Sequence, residues 1–316
     1  MESIAAQAEG DEPALASADS GLPPESIAAR QNLSANIDLL AAQRQLYSEA
    51  KQLRRVRAWS VAAMAVIGVA VPFVASDLVK GAGVVGFIVT VVQWIIGIIE
   101  KRRTKMAATV QEQFDTSVFP LPWNSVLGNR VDPEDLVAAA RRFTGDRNDL
   151  MNWYRIPTET PRPLDILLCQ RSNLRWDAAL RRTYALAVVA GLVGLYAVIV
   201  AVALWADLSR VEFASTIVST AGVLLFGADT VWTHYQHSAA QLDLKRKVEA
   251  ACERARGRKR SLTVADVRAI QTEIYRQRVT ALTVPDYFYW KRREQFELEM
   301  REAVDRLWQE FSRPSR

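Results

Sequence analysis

Two cysteines, Cys169 and Cys252, and two histidines, His234 and His237, are all the sulfhydryl and imidazole groups in 316 residues. Two thiols so far apart cannot make a disulfide framework, and they suit a reducing cytosol. Neither cysteine lies near either histidine, and a histidine pair three residues apart is too few ligands for a zinc site, so no metal is expected. No P-loop and no serine in a nucleophile elbow occur either. Catalysis has no visible support; the chain reads as a non-enzyme with no cofactor.

A secretory signal is missing as well. Before Arg30 the chain is acidic (Glu2, Glu9, Asp11, Glu12, Asp19, Glu25) and rich in Ala, Ser, Gly and Pro. Residues 1–30 therefore read as a disordered acidic tail. The net charge of +5 is mild for this length and gives no footprint for a nucleic-acid duplex. No stretch shows the alternation of a strand.

Apolar residues make up 50% of the chain, and they are gathered in blocks. A bilayer-crossing helix needs about 20 mostly apolar residues. Four runs satisfy this: Ala58 to Ser76, Gly81 to Ile99, Tyr184 to Ala206, and Phe213 to Trp232. None has a charge in its central part, whereas a soluble core helix shows polar positions every third or fourth residue. The links Asp77 to Lys80 and Asp207 to Val211 are short enough to force two antiparallel hairpins.

Basic residues then set the orientation. Lys51, Arg54, Arg55 and Arg57 precede the first run; Lys101, Arg102, Arg103 and Lys105 follow the second. Arg175, Arg181 and Arg182 precede the third; Lys245, Arg246 and Lys247 follow the fourth. The two tight turns hold one positive residue each, Lys80 and Arg210. The expectation is an all-α integral membrane protein of four transmembrane helices in two hairpins, with helical cytoplasmic segments, multi-pass in the plasma membrane, both termini cytoplasmic. Its partner would be the lipid bilayer. The division is tail 1–30, lead-in helix 31–57, hairpin 58–103, cytoplasmic helices 104–183, hairpin 184–233 and C-terminal cytoplasmic helices 234–316.

Leu39, Leu46 and Leu53 recur every seven residues in the lead-in helix, with Leu33, Leu40 and Tyr47 alongside. They suit either a coiled-coil seam between subunits or packing on the protein's own helices. Asp132 with Pro133 opens a helix through Phe143, Thr263 with Asp266 forms a capping box, and helices are expected over 237–256, 264–280 and 285–311. Gly81, Gly83 and Gly86 match a dinucleotide-binding spacing, but without a preceding strand they read as helix packing. Ala82 with Gly86, Ala187 with Gly191, Ala190 with Gly194 and Ala197 with Ala201 are further small-residue pairs.

Span four carries Ser215, Thr216, Ser219 and Thr220 at one-turn spacing, with Asp229 at its cytoplasmic end; Gln93 interrupts span two. Polar groups facing lipid are expensive, so these six are candidates to line a water path. The other reading is that the hydroxyls bond their own backbone carbonyls and Asp229 sits at the interface. Tyr287, Phe288, Tyr289 and Trp290 before Lys291, Arg292 and Arg293 would stack a base, anchor at the membrane surface, or pack.

The soluble blocks carry a resemblance. Ala42–Gln43–Arg44–Gln45–Leu46–Tyr47–Ser48 with Lys51, then Phe114–Asp115, Leu121–Pro122–Trp123–Asn124, Trp153–Tyr154, Cys169–Gln170–Arg171–Ser172–Asn173 with Trp176–Asp177, and Pro285–Asp286 with Tyr289 resemble the SMODS-associated four-transmembrane effectors over roughly 35–300. The resemblance implies a pore-forming effector of a bacterial anti-phage system, encoded beside a nucleotidyltransferase whose cyclic oligonucleotide triggers it and stops phage by sacrificing the cell. Four helices per chain leave little room for water, so a homo-oligomer is expected. For a phosphate-bearing messenger, Arg141, Arg142, Arg171 and Arg175 are the sensing candidates. The rival is a non-pore scaffold recruiting partners through its cytoplasmic helices.

Overall fold

The computed structural model describes residues 26–74, 78–156, 160–256 and 263–312. All regular structure among them is helical: α1 (Ile27–Arg30), α2 (Ser34–Val74), α3 (Leu78–Val118), α4 (Pro133–Arg142), α5 (Leu164–Trp205), α6 (Arg210–Arg256), α7 (Val264–Thr280) and α8 (Asp286–Ser312).

Four of these are far longer than a bilayer requires. Helices α2, α3, α5 and α6 have 41, 41, 42 and 47 residues. At 1.5 Å per residue each is on the order of 60 Å or more, about twice the hydrocarbon thickness. One half of each helix is apolar and the other half continues into the body outside the apolar runs without a break. The lead-in helix and the first apolar run are thus one element.

Three long helices are apolar enough to cross a membrane, within Val84–Val118, Leu164–Trp205 and Arg210–Arg254. The first apolar run, on α2, extends into residues 75–77, outside the described ones. Helix α2 packs along α3 and α5 along α6, giving the two hairpins, and α2 also touches α6. The second hairpin turns tightly: Glu212 Oε2 accepts from the Ser209 N–H at 2.8 Å while Ser209 Oγ accepts from the Glu212 N–H at 3.3 Å. The outer surface of these halves is greasy, with Trp94, Leu204 and Val218 all more than two-thirds exposed. A surface this apolar suits a bilayer rather than water.

The protein's core lies in the half away from the apolar runs. Leu40 and Leu46 of α2, Phe114 of α3, Leu167 of α5, Val248 of α6 and Val267 of α7 are completely buried in one cluster. Leu39 and Tyr47 pack against it, while Leu33 stays exposed. Of the heptad leucines, Leu39 and Leu46 are therefore spent on this chain's own helices. Ser26 caps α1 by accepting from the Ala29 N–H at 3.1 Å, and Ile27 is buried, so an ordered turn stands inside the stretch expected to be tail. The rest of that expectation, 1–25, lies outside the described residues.

The Thr263–Asp266 capping box is present on α7. On α4, Pro133 takes the first position but the Asp132 side chain makes no cap bond. Gly86 lies inside α3, which opens at Leu78 with no strand before it. The close helix approaches use glycines other than the expected pairs. A Cβ at Gly68 would sit 3.1 Å from Ser219 Cβ, and one at Gly227 would sit 2.8 Å from Leu192, whereas Gly191 and Gly194 face open space.

A candidate ligand cavity above a buried ionic layer

Asp115 anchors the body outside the apolar runs. Its fully buried carboxylate accepts from Arg278 Nη1 at 2.5 Å, from the Tyr154 hydroxyl at 2.5 Å and from Gln271 Nε2 at 3.0 Å. Asn173 Nδ2 donates to the same tyrosine oxygen at 2.9 Å. Gln31 fixes the Tyr154 backbone from the other side, accepting from its N–H at 2.6 Å and donating to its carbonyl at 3.0 Å. Charge-assisted bonds in a low-dielectric interior are strong, so α3, α5, α7 and the loop carrying Trp153 and Tyr154 are held rigidly together.

On this frame a cavity of about 220 Å³ opens between α2, α5, α6, α7 and the start of α8. A smaller one of about 130 Å³ adjoins it, and Trp153, Asn173, Trp176 and Tyr289 line both. Within the larger cavity Lys51 pairs with Asp286 at 2.5 Å and Arg181 with Asp177 at 3.0 Å. Arg44 has no carboxylate partner among the described residues. Its guanidinium lies 5.2, 4.9 and 5.9 Å from the ring centres of Trp153, Tyr289 and Trp290, and it donates to the Tyr289 hydroxyl at 2.9 Å. A cation held over ring faces is stabilised there yet remains available to an anion.

The cavity is dry enough to shift ionisation. Burial pulls the Lys51 ammonium below its ordinary value in spite of Asp286. Burial likewise pushes the Tyr47 hydroxyl up to about 12. For Asp177 burial pushes upward, but Arg181 and the Gln241 amide outweigh it and the carboxyl lies below its ordinary value.

Beneath the cavity, at the start of the apolar halves, lies a second polar layer. Arg181 donates to the Leu282 carbonyl at 2.8 Å and approaches His234 Nδ1 to 3.3 Å. The Tyr184 ring stands edge-on to His234 at 5.0 Å. Next come Arg54 and Arg57, 3.4 and 2.7 Å from the oxygens of Glu100, and Arg54 also donates to the Thr230 hydroxyl at 2.8 Å. A Cβ at position 97 would come within 3.3 Å of the Arg57 guanidinium, so Gly97 is what lets that arginine in. The layer joins α2, α3, α5 and α6.

The expected water-path residues are not brought together within one chain. Ser219 Oγ donates to the Gly68 carbonyl at 3.1 Å, and Thr216 and Thr220 donate to carbonyls one turn back, of Glu212 and Thr216, at 3.0 Å. Gln93 is half-buried, while Ser215 and Asp229 are exposed. The four arginines chosen for sensing line neither cavity. Arg142 pairs with Glu49 at 3.1 Å and Arg171 with Glu249 at 2.7 Å; Arg141 and Arg175 are exposed.

What sequence reasoning missed is Arg44, Arg181, Arg278 and Glu100. The signal was present in another form. Arg44, Tyr47, Ser48 and Lys51 share a helix face at three-, four- and seven-residue spacing, and the motif blocks quoted above supply about half of the larger cavity's wall.

Four of the six quoted blocks, scattered over more than 240 positions, thus meet at the two adjoining cavities. The family model described as "SMODS-associating 4TM effector domain" matches residues 25–307. The chain belongs to that family. This 4TM effector is also 25% identical over 287 residues to a "Probable CBASS effector molecule" of Bacillus cereus (strain VD146), covering 88% of this chain and 97% of that protein. No solved structure matches.

Proposed function

We propose that this 4TM effector permeabilises the plasma membrane in an anti-phage, abortive-infection response and is opened by a cyclic oligonucleotide bound in its cytoplasmic cavity. The observation that carries the reading is the convergence of the motif residues on one aromatic, basic cavity, built on helices that continue into the bilayer. Flat rings and an arginine free of carboxylates suit bases and phosphodiesters. A ligand wedged between α2, α5 and α8 would act at the end of rods that cross the ionic layer and enter the lipid. Both termini are cytoplasmic in this reading, a neighbouring nucleotidyltransferase makes the messenger, and several copies assemble around the opening. Ser215, Thr216, Ser219, Thr220, Asp229 and Gln93 are the candidates for its lining once the helices turn.

The test is dye leakage from liposomes holding the full-length protein, with and without cyclic oligonucleotides. Leakage on ligand addition is expected. Correctly inserted protein that stays tight under every cyclic oligonucleotide overturns the reading.

A non-pore scaffold is favoured by one observation, the use of Ser219 and Thr220 in packing and backbone bonds rather than in a path. It expects Ser219→Leu and Asp229→Ala to leave toxicity untouched while substitutions on the cytoplasmic surface abolish it.

A further inference from the structure

Helices α2 and α5 both wall the larger cavity, yet they share little direct packing; α2 lies along α3, α4 and α6, and α5 along α6. The first three turns of α8 bridge them. On the α5 side the contacts are rings: Tyr289 and Phe296 meet Trp176 at 5.7 and 5.4 Å, and Phe288 meets Tyr184 at 5.1 Å. On the α2 side they are polar. Asp286 accepts from Lys51 Nζ at 2.5 Å, and the Tyr289 hydroxyl accepts from the Arg44 guanidinium at 2.9 Å.

The two attachments answer differently to an anion. Ring contacts carry no net charge and are indifferent to it. The α2 attachment is made by the two cations that α2 gives to the cavity wall, the groups any anionic ligand would seek. Burial lowers the Lys51 pKa, Asp286 opposes that, and the nearby Arg44 lowers it again. One carboxylate therefore serves two neighbouring cations, and further negative charge is welcome there. The Lys51 side chain is 20% exposed and that of Asp286 is 42%. The carboxylate is the wetter partner and regains water when released, whereas the ammonium needs an anion to stay where it is. A phosphodiester supplies that charge with acceptor oxygens to match.

We propose that α8 is an autoinhibitory strap: Asp286 on Lys51 and Tyr289 on Arg44 tie α2 to α5 across the cavity, and an anionic ligand that takes the two cations unties them. This rests on the gating reading above and adds the element that holds the closed state. Once released from α2, α8 stays on α5 through its rings. The place where it acts is the root of the apolar runs. Phe288 lies on Tyr184, where the third run begins, and the Leu282 carbonyl in the linker before α8 accepts from Arg181 at 2.8 Å.

The experiment is hydrogen exchange of the backbone amides of 286–296 in full-length protein in nanodiscs, alongside dye leakage from liposomes, both without ligand. Wild-type amides should be protected and wild-type liposomes tight. Asp286→Asn should speed exchange severalfold, and Lys51→Glu, which sets like charges together, at least tenfold; both variants should leak dye unprompted. Lys51→Glu combined with Asp286→Lys rebuilds the pair in reverse and should return both readings to within twofold of wild type. That recovery separates release of the strap from misfolding. Single variants that keep wild-type exchange and stay tight, or a double variant that leaks like Lys51→Glu alone, overturn the strap. Faster exchange without leakage overturns it too, since α8 then moves without consequence. Silent variants together with wild-type leakage on cyclic di-AMP or cyclic di-GMP remove the strap and leave the gating reading standing; no leakage from any variant or with any cyclic oligonucleotide removes both.

Discussion

The Arg54 guanidinium donates to the Thr230 hydroxyl across 2.8 Å, tying the helix of the first apolar run to that of the fourth. The same arginine lies 3.4 Å from Glu100, whose other oxygen is 2.7 Å from Arg57. One carboxylate thus compensates two guanidinium groups where water is scarce. Removing one partner of a buried ion pair costs about 3–5 kcal/mol, because the charge left behind stays desolvated. Glu100→Gln should therefore lower the melting temperature in detergent markedly. Thr230→Val, which deletes one charge-assisted bond, should lose only about 1.5–3 kcal/mol. Equal melting curves for Glu100→Gln and wild type would show that the layer carries no weight.

Glu112 supplies a pH signature. Its fully buried carboxylate accepts from Gln271 Nε2 at 2.7 Å and pairs with Arg268. Burial, followed by the nearby Asp115 charge, nevertheless raises its pKa above the ordinary 4.5. The folded state then holds this proton more tightly than the unfolded chain does. Its contribution to stability is fully present below about 4.5 and is lost as pH rises through the elevated value. Glu112→Gln keeps the neutral shape with no proton to lose. The variant should gain on wild type in thermal midpoints as pH is raised from 4 to 8; a gap that is flat or moves the other way contradicts the assignment.

Sensing divides the cavity from the surface. Arg142 and Arg171 lie in partly exposed ion pairs, and such pairs contribute about 0–1 kcal/mol. Arg44 stands between rings with no carboxylate partner among the described residues. Arg44→Ala should raise the ligand concentration for half-maximal leakage at least tenfold, on the order of 1.4 kcal/mol, with little change in melting temperature. Arg171→Ala should leave that concentration within twofold. The reverse ranking would return the sensor to the four arginines expected from the sequence.

Apolar run length and the shortness of the links made the hairpins legible, since both act locally along the chain. Helix ends were legible for the same reason: Thr263 and Asp266 are three residues apart and cap what they adjoin. The cavity was not. Arg44 and Tyr289 meet across 245 positions and Asp115 and Arg278 across 163, and periodicity carries no information about such partners. An arginine on a helix face reads alike whether it meets solvent, a carboxylate or a ring. The hydroxyl stripe stayed open between two readings for a related reason: Thr216 and Thr220 bond to carbonyls of their own helix, and composition cannot distinguish that from a water path. Glu100 was passed over because it ends an apolar run, where a carboxylate ordinarily meets water.

The orientation has a direct test, because the native thiols are silent. Cys169 and Cys252 are both buried; burial pushes the Cys169 thiol well up and the Cys252 thiol to about 12. The reactive thiolate is scarce at neutral pH, so wild-type protein should not react with a maleimide until denatured. One added cysteine then reports its own side of the membrane. Val126, in the loop before α4, and Val211, at the start of α6 beside the second hairpin turn, are both highly exposed. With the basic flanks inside, Val211→Cys should react with a membrane-impermeant maleimide on intact spheroplasts, and Val126→Cys only after permeabilisation. Labelling of Val126→Cys on intact cells would invert the topology, and with it the side from which any messenger must arrive.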